Sequence, residues 1–259
     1  MRIFAVPAAI LLACCVYMPL PAAREALFRL IRRAYAAVLR LFTRRTGKTD
    51  DAPAMFVSLL LLFGAFLLLG AAHPLLAALL MAPTFTGLTV LPASARMKDE
   101  LDSGAYARDI PAYDALVRNT CVSLAPAFIE GIVAPMVLCS LGMPLHLGAA
   151  LGGVYTALQA LAGQLPAAAR VCAAIYRAAE RIFVFFIVLC SGAVGRNPLR
   201  TTGRSAEDRL LSILSIAPGS RDARAPMAGD IAQGVFLCAF SSVILCFALC
   251  ALGDRKSVV

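Results

Sequence analysis

Long apolar stretches alternate with shorter polar and basic segments along the whole chain. Met55–Ala72 and Ile231–Leu252 are long enough to cross a bilayer, because about 20 apolar residues span its hydrocarbon core. Ile3–Leu20 reaches that length narrowly, and Arg2 ahead of it leaves a cleaved signal peptide as the alternative. We prefer an uncleaved first helix, because the remaining chain is itself apolar enough to be embedded in the membrane.

Two further apolar stretches predict helical hairpins. Leu75–Leu91 follows the His73-Pro74 break and should return across the membrane, forming a hairpin with Met55–Ala72. Val122–Gly163 is interrupted by Pro126, Pro135 and Pro144 and should form another hairpin or a pair of broken helices. Ile182–Val194 is apolar but short, so we expect it to enter the membrane without crossing. The pattern therefore predicts an all-α polytopic membrane protein with about six transmembrane helices.

Residues 24–45 predict an amphipathic helix. Its expected apolar face carries six residues, namely Leu27, Ile31, Ala34, Val38, Leu41 and Phe42. Its polar face is rich in arginine, with Arg29, Arg32, Arg33, Arg40 and Arg44. Such a face suits an anionic cytoplasmic leaflet, with membrane lipid as the partner, or it only orients the protein as a positive-inside loop.

The basic segments 24–48, 96–118, 166–181 and 196–224 should all face the cytoplasm, because Lys and Arg are retained on that side. Residues 96–118 predict a soluble helical arm that breaks near Gly104 and Pro111. The expected arrangement is one membrane domain over 1–259, in the inner (cytoplasmic) membrane. It consists of N-terminal helices in 1–95, a core in 96–235 and the last transmembrane helix in 231–252.

Composition supports a membrane protein. Apolar residues make up 61% of the chain and charged residues 15%, which excludes an ordinary soluble globule, a disordered chain and a fibrous repeat. The net charge of +9 fits cytoplasmic loops, so we expect no nucleic-acid partner. The nine cysteines lie in or beside apolar runs without a C-x-x-C pair, so we expect packing residues and no metal site.

Few residues offer chemistry. Glu130 lies in the apolar run Phe128–Pro135, where a carboxylate is costly and marks a functional site by default, unless it reaches interfacial water. Arg170, Arg177 and Arg181 would suit a phosphate, although orientation by positive charge predicts them equally well.

Four stretches, in order, resemble motifs of the cobalamin-biosynthesis membrane proteins of the CobD/CbiB type, the adenosylcobinamide-phosphate synthases. The first is Ser123-x-Ala125 followed by Glu130-Gly131-x-x-Ala134-Pro135, which is similar to S-x-A-E-N-x-x-D-G-x-x-A-P. The others are residues 156–163, Ala169-Arg170 with Arg181, and Pro218 with Met227-Ala228-Gly229. The resemblance covers roughly residues 96–235.

The resemblance implies a function. Members of that family join a carboxylate of adenosylcobyric acid to an aminopropanol, usually as its phosphate, in an amide-forming step thought to need ATP with Mg²⁺. It implies a corrinoid substrate, other cobalamin-biosynthesis membrane proteins as partners, and Glu130 as the catalytic carboxylate. Substrate binding would fall to Arg170 and Arg181, joined by the additional groups Arg221 and Arg224.

The departures from the motifs fall on the acids and amides. The family's Glu and Asn in the first motif are Pro126 and Ala127 here, its Asp pair in the third is Cys172 and Ala173, and its Glu in the fourth is Arg224. The retained positions shape the backbone. Three hypotheses therefore stay open: a divergent amide-forming enzyme, a non-catalytic corrinoid-binding or scaffold protein, and an unrelated small transporter.

Overall fold

The computed structural model describes residues 9–11, 13, 21–46, 51–104, 106, 109–141, 145–195, 197, 201, 203–218 and 223–255. Throughout these residues the regular structure is helical, and no strand occurs in them. The all-α prediction is therefore confirmed for the described part of the chain.

From Pro21 onward, ten α-helices follow one another in the described segments. They are α1 Pro21–Thr46, α2 Asp51–Ala72, α3 Pro74–Met81, α4 Val90–Asp102, α5 Ile110–Phe128, α6 Ala134–Leu141, α7 Leu145–Ala162, α8 Pro166–Leu189, α9 Ala206–Leu214 and α10 Ala228–Arg255. Short 3-10 segments at Ala82–Thr84, Thr86–Thr89 and Cys190–Val194 and a π turn at Ile129–Val133 complete the described regular structure from α1 onward.

Three helices within the described residues are long and apolar enough to cross a membrane: Pro53–Ala72, Ile110–Ser140 and Ala228–Ala251. The first and third confirm that long apolar helices occur at Met55–Ala72 and Ile231–Leu252, where crossings were predicted. The expected total of about six does not fit this count. The predicted crossing at Ile3–Leu20 falls mostly outside the described residues.

The predicted return crossing at Leu75–Leu91 is wrong. Helix α3 ends at Met81, and the chain then makes two 3-10 segments that contain Pro83 and Gly87. Residues from Met81 to Phe85 are buried within the protein. Their apolar character therefore serves a protein interior, and hydropathy alone does not distinguish that environment from lipid.

The predicted break in the polar arm is confirmed, because α4 ends at Asp102 and α5 begins at Ile110 with Asp109 as N-cap and Pro111 in the first turn. Two other boundaries drawn from the sequence are wrong. The end of the arm, residues 110–118, is not separate from the apolar stretch after it, since both are parts of one helical run from Ile110 to Leu141. Ile182–Val194 is no separate dip, since α8 continues to Leu189. The helical backbone continues from Arg181 into Ile182, so the change from polar to apolar residues at this point does not end the helix.

The chain divides into two compact units. The first unit takes the described parts of residues 1–86, 134–176 and 250–259. Phe28 and Ile31 of α1 pack with Ala157 and Ala160 of α7, while Tyr35 packs with a neighbouring cluster that includes Leu158. Small residues bring α2 and α7 close together, as a Cβ at Gly70 would stand 3.2 Å from the Ala149 Cβ.

The second unit takes the described parts of residues 87–133 and 177–249. Helices α5, α9 and α10 meet around Leu124, Leu214 and Gly234, where a Cβ on the glycine would lie 2.9 Å from the Leu124 Cδ1. Gly234 therefore allows α10 to lie close to α5. This unit carries most of the polar groups that the structure brings together.

Candidate functional site

Glu130 lies in the π turn that interrupts the long helix from Ile110 to Leu141. Its neighbours Ile129 and Gly131 are buried, whereas Glu130 itself is exposed. Pro126 precedes the turn and Pro135 follows it, and each removes one backbone donor from the helical ladder. Single π turns inside helices occur frequently at functional sites, because they change the direction of one side chain.

Gly87, in the 3-10 segment Thr86–Thr89, packs against the backbone of the π turn. A Cβ on Gly87 would clash with the carbonyl oxygen of Ala127 and stand 3.1 Å from the Cα of Gly131. The absence of a side chain at Gly87 thus lets two backbones approach closely at this point. The backbone that carries Glu130 is held by this contact as well as by its own helix.

A second polar cluster forms where α10 begins. The Asp230 side chain is only 1% exposed and is paired with the guanidinium of Arg224 through two hydrogen bonds, of which the Nη1–Oδ2 bond measures 3.0 Å. The same carboxylate accepts the backbone N–H of Met227 at 2.8 Å. Asp230 stands in the first turn of α10, where a negative charge also interacts favourably with the helix dipole.

Further hydrogen bonds fix the chain that leads into α10. The hydroxyl of Tyr113 in α5 accepts the backbone N–H of Ala228 at 2.8 Å. The backbone N–H of Arg224 donates to the carbonyl of Ser215 at 2.9 Å, and Ser215 itself has a φ of 60°. These bonds hold the start of α10 against α5 and against the end of α9.

Three carboxylates, two on α9 and one on α8, lie near the start of α9. Ser205 caps the helix in a reciprocal arrangement with Asp208, and Glu180 of α8 accepts the backbone N–H of Ala206 at 3.1 Å. Partial burial, followed by the negative charges of Glu180 and Asp208, raises the pKa of Glu207 above 4.5. Glu180 and Asp208 satisfy donors at the helix start, so their observed role is to anchor α9.

The predicted site residues are distributed over both units. Glu130, Arg181 and Arg224 belong to the second unit, and Arg170 belongs to the first. Arg170 and Arg181 are exposed on α8, and neither forms an ion pair or hydrogen bond with another residue that the structure describes. Arg224 is engaged by Asp230, and Arg221 lies outside the described residues.

Sequence reasoning missed Asp230 and Tyr113. Asp230 directly precedes the last apolar stretch, and an acid at that position is a known signal for the first turn of a helix. A charged residue beside a long apolar stretch also indicates a functional or structural site, as it does at Glu130. Tyr113 carries no comparable signal, because its partner is a backbone amide more than a hundred positions away in the chain.

The described residues contain no group of three or more His, Cys, Asp or Glu side chains placed to hold a metal ion. The arrangement offers instead an exposed carboxylate on an apolar helix and exposed guanidinium groups on α8. No family model, curated protein or solved structure matches the chain.

Proposed function

We propose that this chain is a multi-pass protein of the cytoplasmic membrane that functions in cobalamin biosynthesis. It would bind a corrinoid on a surface that presents Glu130, on a frame shared with the adenosylcobinamide-phosphate synthases. The basic segments would face the cytoplasm, where a corrinoid carrying a carboxylate is available to them.

One observation carries the proposal: the first and fourth motifs lie on helices that pack together in the second unit. Most of the first motif lies at the end of α5 and in the π turn, its last two residues begin α6, and the fourth motif ends at the start of α10. Helix α5 contacts α10 through the Tyr113–Ala228 hydrogen bond and through Leu124 against Gly234. Residues that the resemblance links across about 90 positions thus belong to one compact structure, as a shared frame requires.

The retained residues have physical roles in that frame. The backbone of Gly131 lies against Gly87, and Met227 and Ala228 supply the backbone N–H groups that Asp230 and Tyr113 bind. Within this proposal Glu130 would contact the corrinoid or its amine partner, and Arg181 would bind an anionic group of the ligand. Arg170 is a further candidate for the same task.

Binding is better supported than synthesis. The family's acidic position in the fourth motif is Arg224 here, and Arg224 pairs with Asp230. ATP with Mg²⁺ would supply carboxylate activation in the family reaction. The described residues provide no three-ligand cluster for the metal, so we derive no step through it. Catalytic groups act as a unit, so losing several lowers the rate far more than their separate effects suggest.

A growth experiment tests this function. A bacterium that lacks its own cobinamide-phosphate synthase receives this protein and grows on either cobyric acid or cobinamide. Cobinamide enters after the missing step and should support cobalamin-dependent growth in every strain. We expect little or no growth on cobyric acid, together with saturable corrinoid binding in purified membranes.

Glu130→Gln provides the test of the site. The variant should insert and fold as the parent does, while corrinoid binding weakens on the order of tenfold, as expected for one charge-assisted contact. Glu100→Gln, an exposed acid on α4 in the same unit, is the matched control and should bind normally. Robust growth on cobyric acid that Glu130→Ala abolishes would establish the synthase. Absence of both growth and binding would refute a corrinoid function and favour the transporter hypothesis.

A further inference from the structure

The exposed surface of α1 contains two parallel stripes of different chemistry. Arg29, Arg33 and Arg40 are exposed, and at 3.6 residues per turn they lie within about 40° of one another around the helix axis. Immediately beside them runs a stripe of exposed apolar residues. It consists of Leu30, Ala34, Ala37 and Leu41. Leu30 is 63% exposed and Leu41 is 60% exposed.

The third face of α1 is already occupied by the protein. Phe28, Ile31 and Tyr35 are buried in the first unit, and the Nε of Arg32 donates to the carbonyl of Ala160 at 3.0 Å. This result corrects the apolar face drawn from the sequence, since Ala34 and Leu41 belong to the exposed stripe. Packing against the protein therefore explains Phe28, Ile31 and Tyr35 but leaves Leu30 and Leu41 without an apolar environment.

We propose that this double stripe binds the surface of an anionic phospholipid bilayer, with α1 lying in the plane of the interface. The arginines would pair with lipid phosphates, and Leu30 and Leu41 would enter the region between headgroups and acyl chains. A loop that only orients the protein requires positive charge but no apolar stripe beside it, so the second stripe favours lipid binding. A lipid surface offers both chemistries side by side.

The position of α1 in the chain agrees with this placement. Helix α1 ends at Thr46, and the candidate membrane span Pro53–Ala72 begins seven residues later, so the two helices lie close together in sequence. The stripe from Arg29 to Arg40 extends over about 16 Å at 1.5 Å per residue, which is enough for several headgroups. The net charge of +9 adds long-range attraction to an anionic leaflet.

The experiment uses the fluorescence of an introduced tryptophan. Because the chain contains no tryptophan of its own, the signal reports that one position. The full-length protein carrying Leu30→Trp is reconstituted into vesicles that contain brominated phosphatidylglycerol or, at equal mole fraction, brominated phosphatidylcholine. We expect quenching by both lipids and stronger quenching by phosphatidylglycerol. Leu41→Trp, in the same stripe, should respond in the same way. Ser103→Trp, at an exposed turn after α4, is the reporter control and should not be quenched.

Charge variants separate the arginine stripe from net charge. Arg29, Arg33 and Arg40 are replaced together by Gln in the Leu30→Trp protein, and each arginine should contribute about fivefold to the preference for the anionic lipid. The variant should therefore lose that preference while it keeps quenching by phosphatidylcholine. The matched control replaces Arg96, Lys98 and Arg204 by Gln, which removes the same charge elsewhere and should leave the preference intact.

Three results would overturn the proposal. Unquenched tryptophans at both 30 and 41 would mean that the stripes face water or a protein partner. Equal quenching by the two lipids in the parent protein, or equal loss of preference in both triple variants, would show that the arginine stripe does not bind anionic headgroups.

Discussion

At the scale of single residues, the strongest constraint is the carboxylate of Asp230. It is buried at the start of a helix that is long and apolar enough to cross a membrane, and it makes three hydrogen bonds, two to Arg224 and one to the backbone of Met227. A buried carboxylate without such partners would be very unfavourable, because desolvation of its charge costs several kcal/mol. The pair therefore fixes the chain before α10 in one arrangement.

Removal of Arg224 should destabilise the protein strongly. We expect Arg224→Ala to lower the free energy of unfolding by about 2–3 kcal/mol. This is somewhat below the usual 3–5 kcal/mol for a fully buried pair, because the Arg224 side chain is 35% exposed. The measurement is chemical or thermal unfolding of the purified protein in detergent.

Two comparisons interpret that result. Arg224→Met combined with Asp230→Leu should be less destabilising than Arg224→Ala alone, since no unpaired charge remains. Lys98→Ala, which breaks the exposed Lys98–Asp102 pair, should leave stability nearly unchanged. If Arg224→Ala also had no effect, the ion pair would not be a structural element.

Glu207 predicts a pH-dependent stability. Its pKa is raised, so the folded protein binds this proton more tightly than the unfolded chain does, and stability falls as pH rises from about 4.5 through the raised pKa. Glu207→Gln should therefore increase the melting temperature at pH 8 and change it little at pH 4. Melting curves of both proteins across this range provide the measurement.

The neighbouring acid is the matched control for that prediction. Asp208 completes the reciprocal cap with Ser205, so Asp208→Asn should lower stability at pH 8 by about 1 kcal/mol. A lower melting temperature of Glu207→Gln at pH 8 would contradict the prediction. It would indicate that attraction to the start of α9 outweighs the burial and the repulsion from Glu180 and Asp208.

At the scale of elements, the helical run from Ile110 to Leu141 is notable because it continues through two prolines. A proline removes one hydrogen bond and crowds the preceding turn, which normally kinks or ends a helix. Here the π turn Ile129–Val133 lies between Pro126 and Pro135 and accommodates the altered bonding. The exposed position of Glu130 is a consequence of that local geometry.

Substitution at Gly87 tests whether the π turn depends on its support. The added Cβ of Gly87→Ala would clash with the backbone of Ala127, which has no flexible end that can move away. We expect a loss of about 1–3 kcal/mol in unfolding experiments, together with reduced ligand binding if Glu130 is displaced. Gly64→Ala is the control, because nothing lies within 4 Å of its added Cβ. Equal stability of both variants would contradict the observed close approach.

At the scale of the whole molecule, apolar residues and arginines are concentrated in different elements. Apolar side chains serve three helices that can cross a membrane, but they also fill the interior around α3 and α7. The arginines are concentrated on α1, on α8 and in the segments around α9. An apolar composition therefore serves both purposes, and the contacts among helices decide which apolar stretch is buried in the protein.

Several properties follow from the sequence because they depend on local pattern. The helical nature of the described residues, the long apolar helices at 55–72 and 231–252, and the extent of α1 within a few residues all arise from periodicity and composition, which act over one or a few helical turns. The exposure of an acid at position 130 could be suspected for the same reason, since an isolated carboxylate avoids an apolar interior.

Other properties are decided by contacts between distant parts of the chain. The stretch Leu75–Leu91 and the predicted apolar face of α1 both consist of apolar residues. In the structure residues 81–85 are buried in protein, whereas Leu41 of α1 is exposed. Protein interior and lipid are both apolar, so hydropathy cannot separate them. The partner of Asp230, the contact between Tyr113 and Ala228, and the approach of Gly87 to the π turn depend on which helices meet, and only the tertiary structure determines that meeting.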